Sequence, residues 1–506
     1  MSVSISSAQV VGLDAQPITV EVDITPGLHI FAIVGLADKE VQESRERISA
    51  AIKNLGAVAP HQKSQRVIVN LAPANIKKEG PAFDLAIALG YLLASRQILF
   101  NPEKKLFLGE LGLDGKTRPV SGVLPMALAA RGHGFTELFV PKGNGMEAAI
   151  VKGLCVYEIG SLSEVIEHLA GRSIIQPLPQ TSIEHKAITH AIDFKDIKGQ
   201  EKAKRALEIA AAGSHNVLMS GPPGSGKTIL AQAITSILPL LSFDEMLEVM
   251  KVYSVAGALP SNSPLIIQRP FRNPHHTASH TAIIGGGSSP RPGEITLAHR
   301  GVLFLDEFAE FERRVIESLR QPLEERTITI ARVQSVHTFP AQFMLVAAMN
   351  PCPCGNFDNP MKDCSCSPGA ISRYTKKISG PMLDRMDLCI DTPAVAYEKL
   401  EAGEGEASAA IQQRVTHARD IQRIRFKGLQ KQTNAEMGIR EIKQFIHIKD
   451  TLKPILKLAH ERHHLSARAY HRLLKVSRTI ADLADSAEIE QPHILEALQY
   501  RPKSEV

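Results

Sequence analysis

Apolar and polar positions fall into three regimes along the chain. Over residues 1–171, short β-rich runs alternate with helical ones. RVIVNLAP (66–73) and ELFVPK (137–142) predict strands, and DLAIALGYLLAS (84–95) and VLPMALAARGHG (123–134) predict helices, the second ending on glycine. GELGLDGKTRPVSG (109–122) reads as strand, Asp-Gly turn, strand, the pattern of a hairpin. Residues 172–190 contain RSIIQPLPQTSIEH, which has prolines and no periodicity and reads as a linker. A second α/β unit is predicted over 191–395, and 396–506 read as helices. Within that last part HARDIQRIRFKGLQ (417–430) has the spacing of an amphipathic helix suited to packing against a neighbouring subunit.

A chain of 506 residues has room for about three domains, in line with these regimes. The hydrophobic share of 44% and charged share of 22% are those of an ordinary soluble globular protein. No run reaches the length of a membrane helix, and MSVSISSAQVVG lacks a basic start followed by an apolar stretch. A cytoplasmic protein without a membrane partner is therefore expected. The net charge of +5 is too mild to imply nucleic acid by itself, but it is unevenly spread. Residues 411–480 carry sixteen Lys/Arg against five Asp/Glu, which reads either as a basic face near nucleotide or DNA or as solvated helices.

The sharpest chemistry lies in NVLMSGPPGSGKTIL (216–230), an apolar strand, a glycine-rich loop and a helix start. It fits G-x-x-x-x-G-K-[ST] through Gly221, Pro222, Pro223, Gly224, Ser225, Gly226, Lys227 and Thr228. Glycines let backbone N–H groups close on phosphate, and the helix start adds its dipole. Lys227 is expected at the β- and γ-phosphates of ATP and Thr228 on Mg²⁺. GVLFLDEF (301–308) ends a buried strand in Asp306, a second Mg²⁺ ligand, and Glu307, which would polarise the attacking water. FMLVAAMN (343–350) ends another buried strand in Asn350, placed to orient that water.

GPMLDRMDL (380–388) adds Arg385, and LSARAYHRLL (465–474) adds Arg468 and Arg472. In this chain order the set resembles the AAA+ ATPases. The resemblance implies that Arg385 reaches the ATP of a neighbouring subunit, which requires a ring. It also implies that Arg468, in the form S-x-R, fits the sensor 2 position better than Arg472. Two further segments narrow the branch. RPFRNPHHTASHTAIIGGGSSPRPGEITLAHRG (269–301) resembles a helix-2 insertion. TITIARVQS with its return HTFPAQFMLV resembles the pre-sensor-1 hairpin of the clade that holds the MCM helicases and magnesium chelatase ATPase subunits. In such rings both point into the pore, so Arg332 near the hairpin tip and His275 and His276 upstream are candidate DNA contacts. For the histidines, loop filler is the competing reading.

KEGPAFDLAIALG, GELGLDGKTRPVSGVLP, RPFRNPHHTAS, HRGVLFLDEF, AAMNPCPCG and SGPMLDRMDL together resemble the YifB/ComM family, over nearly the whole chain. That resemblance implies hexameric rings that bind single-stranded, double-stranded or branched DNA. It implies ATP-driven branch migration in homologous recombination during natural transformation. The fold implied is α/β. It comprises a Lon-like (ribosomal S5 domain 2-like) domain over 1–171, an AAA+ P-loop core with both insertions over 191–395, and an α-helical lid over 396–506.

Active Lon proteases carry a Ser–Lys dyad, whereas here Ala82 takes the nucleophile's place and Gly122–Met126 holds no lysine. No peptidase activity is expected; the domain would bind DNA or a partner, or assemble the ring. Lys77, Lys78 and Lys116 read as exposed cations, either phosphate contacts or a solvated face. PCPCGNFDNPMKDCSCSP spaces Cys352, Cys354, Cys364 and Cys366 as two C-x-C pairs. Four thiolates suit tetrahedral, structural Zn²⁺, although the spacing departs from the usual C-x₂-C pairs; four reduced cysteines are the alternative. Three other functional readings stay open: a protein remodeller, a magnesium chelatase ATPase subunit, and a scaffold that uses ATP only to assemble.

Overall fold

The structure is a computed structural model and describes residues 2–181, 192–260, 265–287, 290–331, 336–359, 362–395, 405–463 and 465–501. Arg332 lies outside the described residues. The chain packs into two units, one formed by Met1–Lys186 with Met246–Ile266, the other by Ala187–Glu245 with Ile267–Val506. Among the described residues, no helix is long and apolar enough to cross a membrane.

The first unit is built on a seven-stranded sheet. Its strands are β1 (Val3–Val11), β2 (Asp14–Pro26), β3 (Ile30–Val34), β4 (Gln65–Ala72) and β5 (Lys105–Phe107), followed, after a small hairpin β6 (Glu110–Leu111) and β7 (Thr117–Arg118), by β8 (Glu137–Pro141) and β9 (Cys155–Ile159). The order is β3-β4-β2-β1-β5-β8-β9, with β1–β2 and β2–β4 antiparallel and the other pairs parallel. In β4, Val67, Val69 and Leu71 alternate inward, as its period-2 pattern requires. The helix Asp84–Ala94 is buried along most of its length, which is why it is apolar on all sides. Its Gly90 is a close-approach position, since a Cβ there would stand 2.8 Å from Val22 Cγ2. The helix opens on Asp84, fully buried and held by a two-pronged pair with Arg47 at 2.7 and 3.0 Å.

Two assignments differ from the sequence reading. Residues 246–266, expected in the ATPase core, pack with the first unit, where Ser254 donates to Glu147 at 2.7 Å and its carbonyl accepts from Gly122 N–H at 2.9 Å. The start of the linker docks on the same unit, with Leu178 N–H on the Val156 carbonyl and Thr181 N–H on that of Ala149. Of the three lysines expected to be exposed, one departs from expectation. Lys78 is fully buried and donates to the Pro73 carbonyl, so it is no surface cation; burial pulls its pKa down. Lys77 and Lys116 are exposed but paired with Glu79 and Asp114.

The second unit carries a parallel sheet of β10 (Val217–Ser220), β11 (Phe271–Arg272), β14 (Val302–Leu305), β17 (Met344–Met349) and β18 (Leu388–Asp391), in the order β11-β14-β17-β10-β18. Strands covered on both faces read as unbroken apolar runs, and β14 and β17 are buried at every position. Two antiparallel pairs stand outside the sheet: β12 (Gly285–Gly286) with β13 (Arg291–Pro292), and β15 (Thr327–Ala331) with β16 (Val336–Pro340). The C-terminal helices Ser408–Arg425 and Ala467–Leu483 share one continuous core with the sheet and the helix Glu201–Gly213. Within 417–430, Ala418, Gln422 and Phe426 are buried against that core, while Ile424 and Leu429 remain exposed.

Candidate nucleotide site

Parallel order brings the carboxyl ends of β10, β14 and β17 together, and the sequence motifs all end there. The loop after β10 turns on Gly224 and Gly226, whose φ of 77° and 87° suit glycine. Gly221 is required for a different reason: a Cβ would lie 2.1 Å from the Thr392 carbonyl oxygen. The loop feeds the helix Lys227–Ile237, whose first N–H groups have no intrahelical partner and form an anion cradle.

Lys227 is nearly buried, and its ammonium donates to the carbonyls of Gly221 at 2.6 Å and Pro222 at 2.9 Å and to Asn350 Oδ1 at 3.3 Å. Burial pulls its pKa below the usual lysine range, with Asp306 opposing. Thr228 Oγ1 donates to Asp306 Oδ2 at 2.7 Å, so the two oxygens expected on Mg²⁺ are already adjacent. Asp306 also accepts the Glu307 N–H at 2.9 Å, which fixes the turn where Glu307 takes a left-handed φ of 50°. His276, expected in a DNA-facing loop, instead places Nδ1 3.0 Å from Glu307 Oε2. Its ring stands 4.2 Å from that of the exposed His275, which pairs with Thr277.

The arginines gather elsewhere. Arg385 is mostly buried, donates to the Pro381 carbonyl at 2.6 Å and pairs with Glu324. Its Nε is buried with no hydrogen-bond partner among the described residues. Arg468 reaches the other oxygen of Glu324 at 3.2 Å, so one carboxylate holds both guanidinium groups. Arg385 and Glu324 line an open groove of about 850 Å³. Arg472 donates to the carbonyls of Met386 at 2.7 Å and Leu383 at 3.3 Å, bracing the turn that carries Arg385. Sequence reasoning missed Glu324 and the His276–Glu307 contact. Each joins segments far apart in the chain, and neither Glu324 nor His276 sits in a motif with spacing of its own.

Beyond Asn350, the sulfurs of Cys352, Cys354, Cys364 and Cys366 lie within 4.8 Å of one another, and none is in a disulfide. Three Sγ–Sγ separations are 3.4, 3.6 and 3.7 Å. Ligands about 2.3 Å from a tetrahedral Zn²⁺ would stand roughly 3.8 Å apart, so the donor set and its size fit that ion. Backbone hydrogen bonds from Asn356 and Ser365 pull the Cys354 thiol down, whereas the neighbouring Cys354 and Cys352 push Cys364 and Cys366 up, so with no ion the cluster shares its protons unevenly.

Comparison with known proteins adds three family matches. The family described as magnesium chelatase, subunit ChlI, matches residues 193–400; subunit ChlI of Mg-chelatase matches 20–144; and the subunit ChlI C-terminal family matches 405–501. Competence protein ComM of Haemophilus influenzae is 43% identical over 497 residues, covering 97% of this chain and 95% of its own. YifB of Escherichia coli is 42% identical over 505 residues, covering 99% and 97%. Lon protease 2 of Bacillus subtilis is 30% identical over 145 residues, a partial likeness covering 27% of this chain and 26% of its own. With relatives of this identity matched across almost their whole length, the chain belongs to the YifB/ComM family of magnesium chelatase-like AAA+ proteins.

Proposed function

We propose that this protein is the subunit of a homo-oligomeric ring, a hexamer by family resemblance, that hydrolyses ATP to drive branch migration of DNA. The observation that carries the ATPase reading is the Thr228–Asp306 pair beside the Lys227–Asn350 contact under a phosphate-binding loop. ATP phosphates would take the N–H groups of Gly224 and of Gly226–Thr228 at the helix start, and Lys227 would leave its carbonyls for the β- and γ-phosphates. Mg²⁺ fits between Thr228 and Asp306, where it would neutralise phosphate charge. Glu307, oriented by His276, polarises water, and Asn350 helps place it. Zn²⁺ on the four cysteines would be structural, because four protein ligands leave no open position.

Arg385 and Arg468 share Glu324, so both would act on one nucleotide, that of the neighbouring subunit. Two guanidinium groups there stabilise the charge spread over the γ-phosphoryl oxygens. With Ala82 in place of a serine, the first unit has no peptidase role. DNA as the track, and natural transformation as the setting, are supported by the competence protein relative and by the β15–β16 hairpin between Asp306 and Asn350, which resembles a pre-sensor-1 hairpin. The chelatase family matches favour a second reading, an ATPase subunit that remodels a partner protein.

The trans role has its own test. Lys227→Ala and Arg385→Ala should each abolish turnover. Mixed in equal amounts they should regain about a quarter of wild-type turnover, because one interface in four then joins an intact Lys227 to an intact Arg385. No recovery from subunits that exchange freely would refute catalysis between neighbours.

A further inference from the structure

The cysteine segment lies against the phosphate-binding loop. A Cβ on Gly355 would stand 2.5 Å from Pro223 Cδ and 2.8 Å from Pro223 Cγ, and 3.8 Å from Asn350 Cγ. Gly355 has a φ of +79°, and its N–H donates to the Cys352 carbonyl at 3.0 Å, so the turn that presses on Pro223 is closed by the first cysteine. Cys352 is fully buried, and its sulfur accepts the Phe357 N–H at 3.3 Å. On the far side, the buried Tyr374 hydroxyl is hydrogen-bonded to the backbone of Asn350. The segment therefore touches two parts of the nucleotide site at once: Pro223, on the lip of the loop, and Asn350, whose side chain holds Lys227.

We propose that Zn²⁺ on Cys352, Cys354, Cys364 and Cys366 is a clamp that seats Gly355 on Pro223 and so fixes the phosphate loop and Asn350 for ATP. This inference rests on the reading of residues 221–228 as the ATP site. The physical need is plain. The segment from Pro351 to Ser367 has no helix or strand of its own among the described residues, and ordering such a loop costs conformational entropy. Four thiolates on one ion supply the closure, and the coordinated metal does no chemistry. The site is also a point of control. Loss of the ion would release Gly355 from Pro223 and weaken nucleotide binding without touching the phosphate contacts themselves.

The test uses the full chain, with zinc counted by mass spectrometry and affinity measured with a fluorescent ATP analogue. Wild type should carry one Zn²⁺ per chain and lose about tenfold in affinity when a chelator strips it. Cys364→Ser should lose both metal and affinity. Gly355→Ala should keep the metal, because all four thiol ligands remain, and still lose affinity, because the added Cβ forces the turn off Pro223. This variant and mild chelation carry the test if Cys364→Ser fails to fold. Wild type without zinc overturns the proposal, as does unchanged affinity after both stripping and Gly355→Ala. If untreated wild type binds no ATP, the ATPase reading falls together with the clamp. Normal binding that ignores the metal sinks the clamp alone.

Discussion

At the residue scale the candidate site depends on groups of two kinds. Gly221, Lys227, Thr228, Asp306 and Asn350 were legible in the sequence because each closes a motif whose spacing dictates chemistry. Glu324 and the partner of His276 were not, because the contacts reach 61 and 31 residues along the chain, to Arg385 and Glu307. Asp84 belongs to the second kind. It reads as a helix start in the segment that resembles the Lon nucleophile loop, yet its partner is Arg47, 37 residues back. Burial pushes its pKa up to about 6, with Arg47 opposing. A carboxyl whose folded-state pKa exceeds its unfolded value of about 3.9 takes up a proton on folding, so stability falls as pH rises between about 4 and about 6. In Arg47→Met the opposing charge is gone and the pKa climbs further. The variant's loss relative to wild type should therefore be small at pH 5 and approach about 3 kcal/mol at pH 8. Denaturant melts of both proteins at the two pH values check this, and an equal loss at each would remove Arg47 as the counterion.

At the element scale, periodicity served well where an element is long and its environment uniform. β4, β14, β17 and the helices Asp84–Ala94 and Val123–Gly132 lie where their patterns place them, and the hairpin β15–β16 follows the two β-runs of the opening and return segments. Charge patterning was less informative, because it does not say where a long side chain goes. The basic excess over 411–480 is largely consumed within the second unit. Arg414 pairs with Glu208 and Glu406, and half-buried Arg419 donates twice to the Ala211 carbonyl, its pKa pulled down by desolvation to about 9. Arg425 and Arg478 converge on the buried Asp482. These cations tie helices together. Arg425→Met should leave Asp482 to Arg478 and Asn434 and lower stability by about 2 kcal/mol, the loss of charge-assisted hydrogen bonds, while leaving DNA affinity unchanged. A melt and a DNA-binding isotherm on the same sample decide it; lost DNA affinity in a fully stable variant would return Arg425 to a DNA-facing role.

At the scale of the whole molecule, the two units divide the work that the sequence hinted at. The second carries the candidate nucleotide site and Arg385 and Arg468, which the proposed ring would offer to a neighbour. The first keeps a Lon-like likeness without a nucleophile, and it takes in residues 246–266, which the sequence reading had left in the core. That excursion was not legible because its anchor, Ser254 on Glu147, couples residues 107 apart with no pattern to announce it. A ring, a shared active site and a DNA track form one account, and its centre is that ATP turnover answers to DNA. The most direct measurement is the ATP hydrolysis rate of the purified protein alone and with single-stranded, double-stranded and branched DNA, beside an Arg332→Ala variant. The account predicts that DNA stimulates turnover several-fold, branched DNA most of all, that rising salt erodes the effect, and that the variant loses it. Normal basal turnover in a formed ring, unmoved by any of the three DNAs, would contradict it and favour a motor that acts on protein.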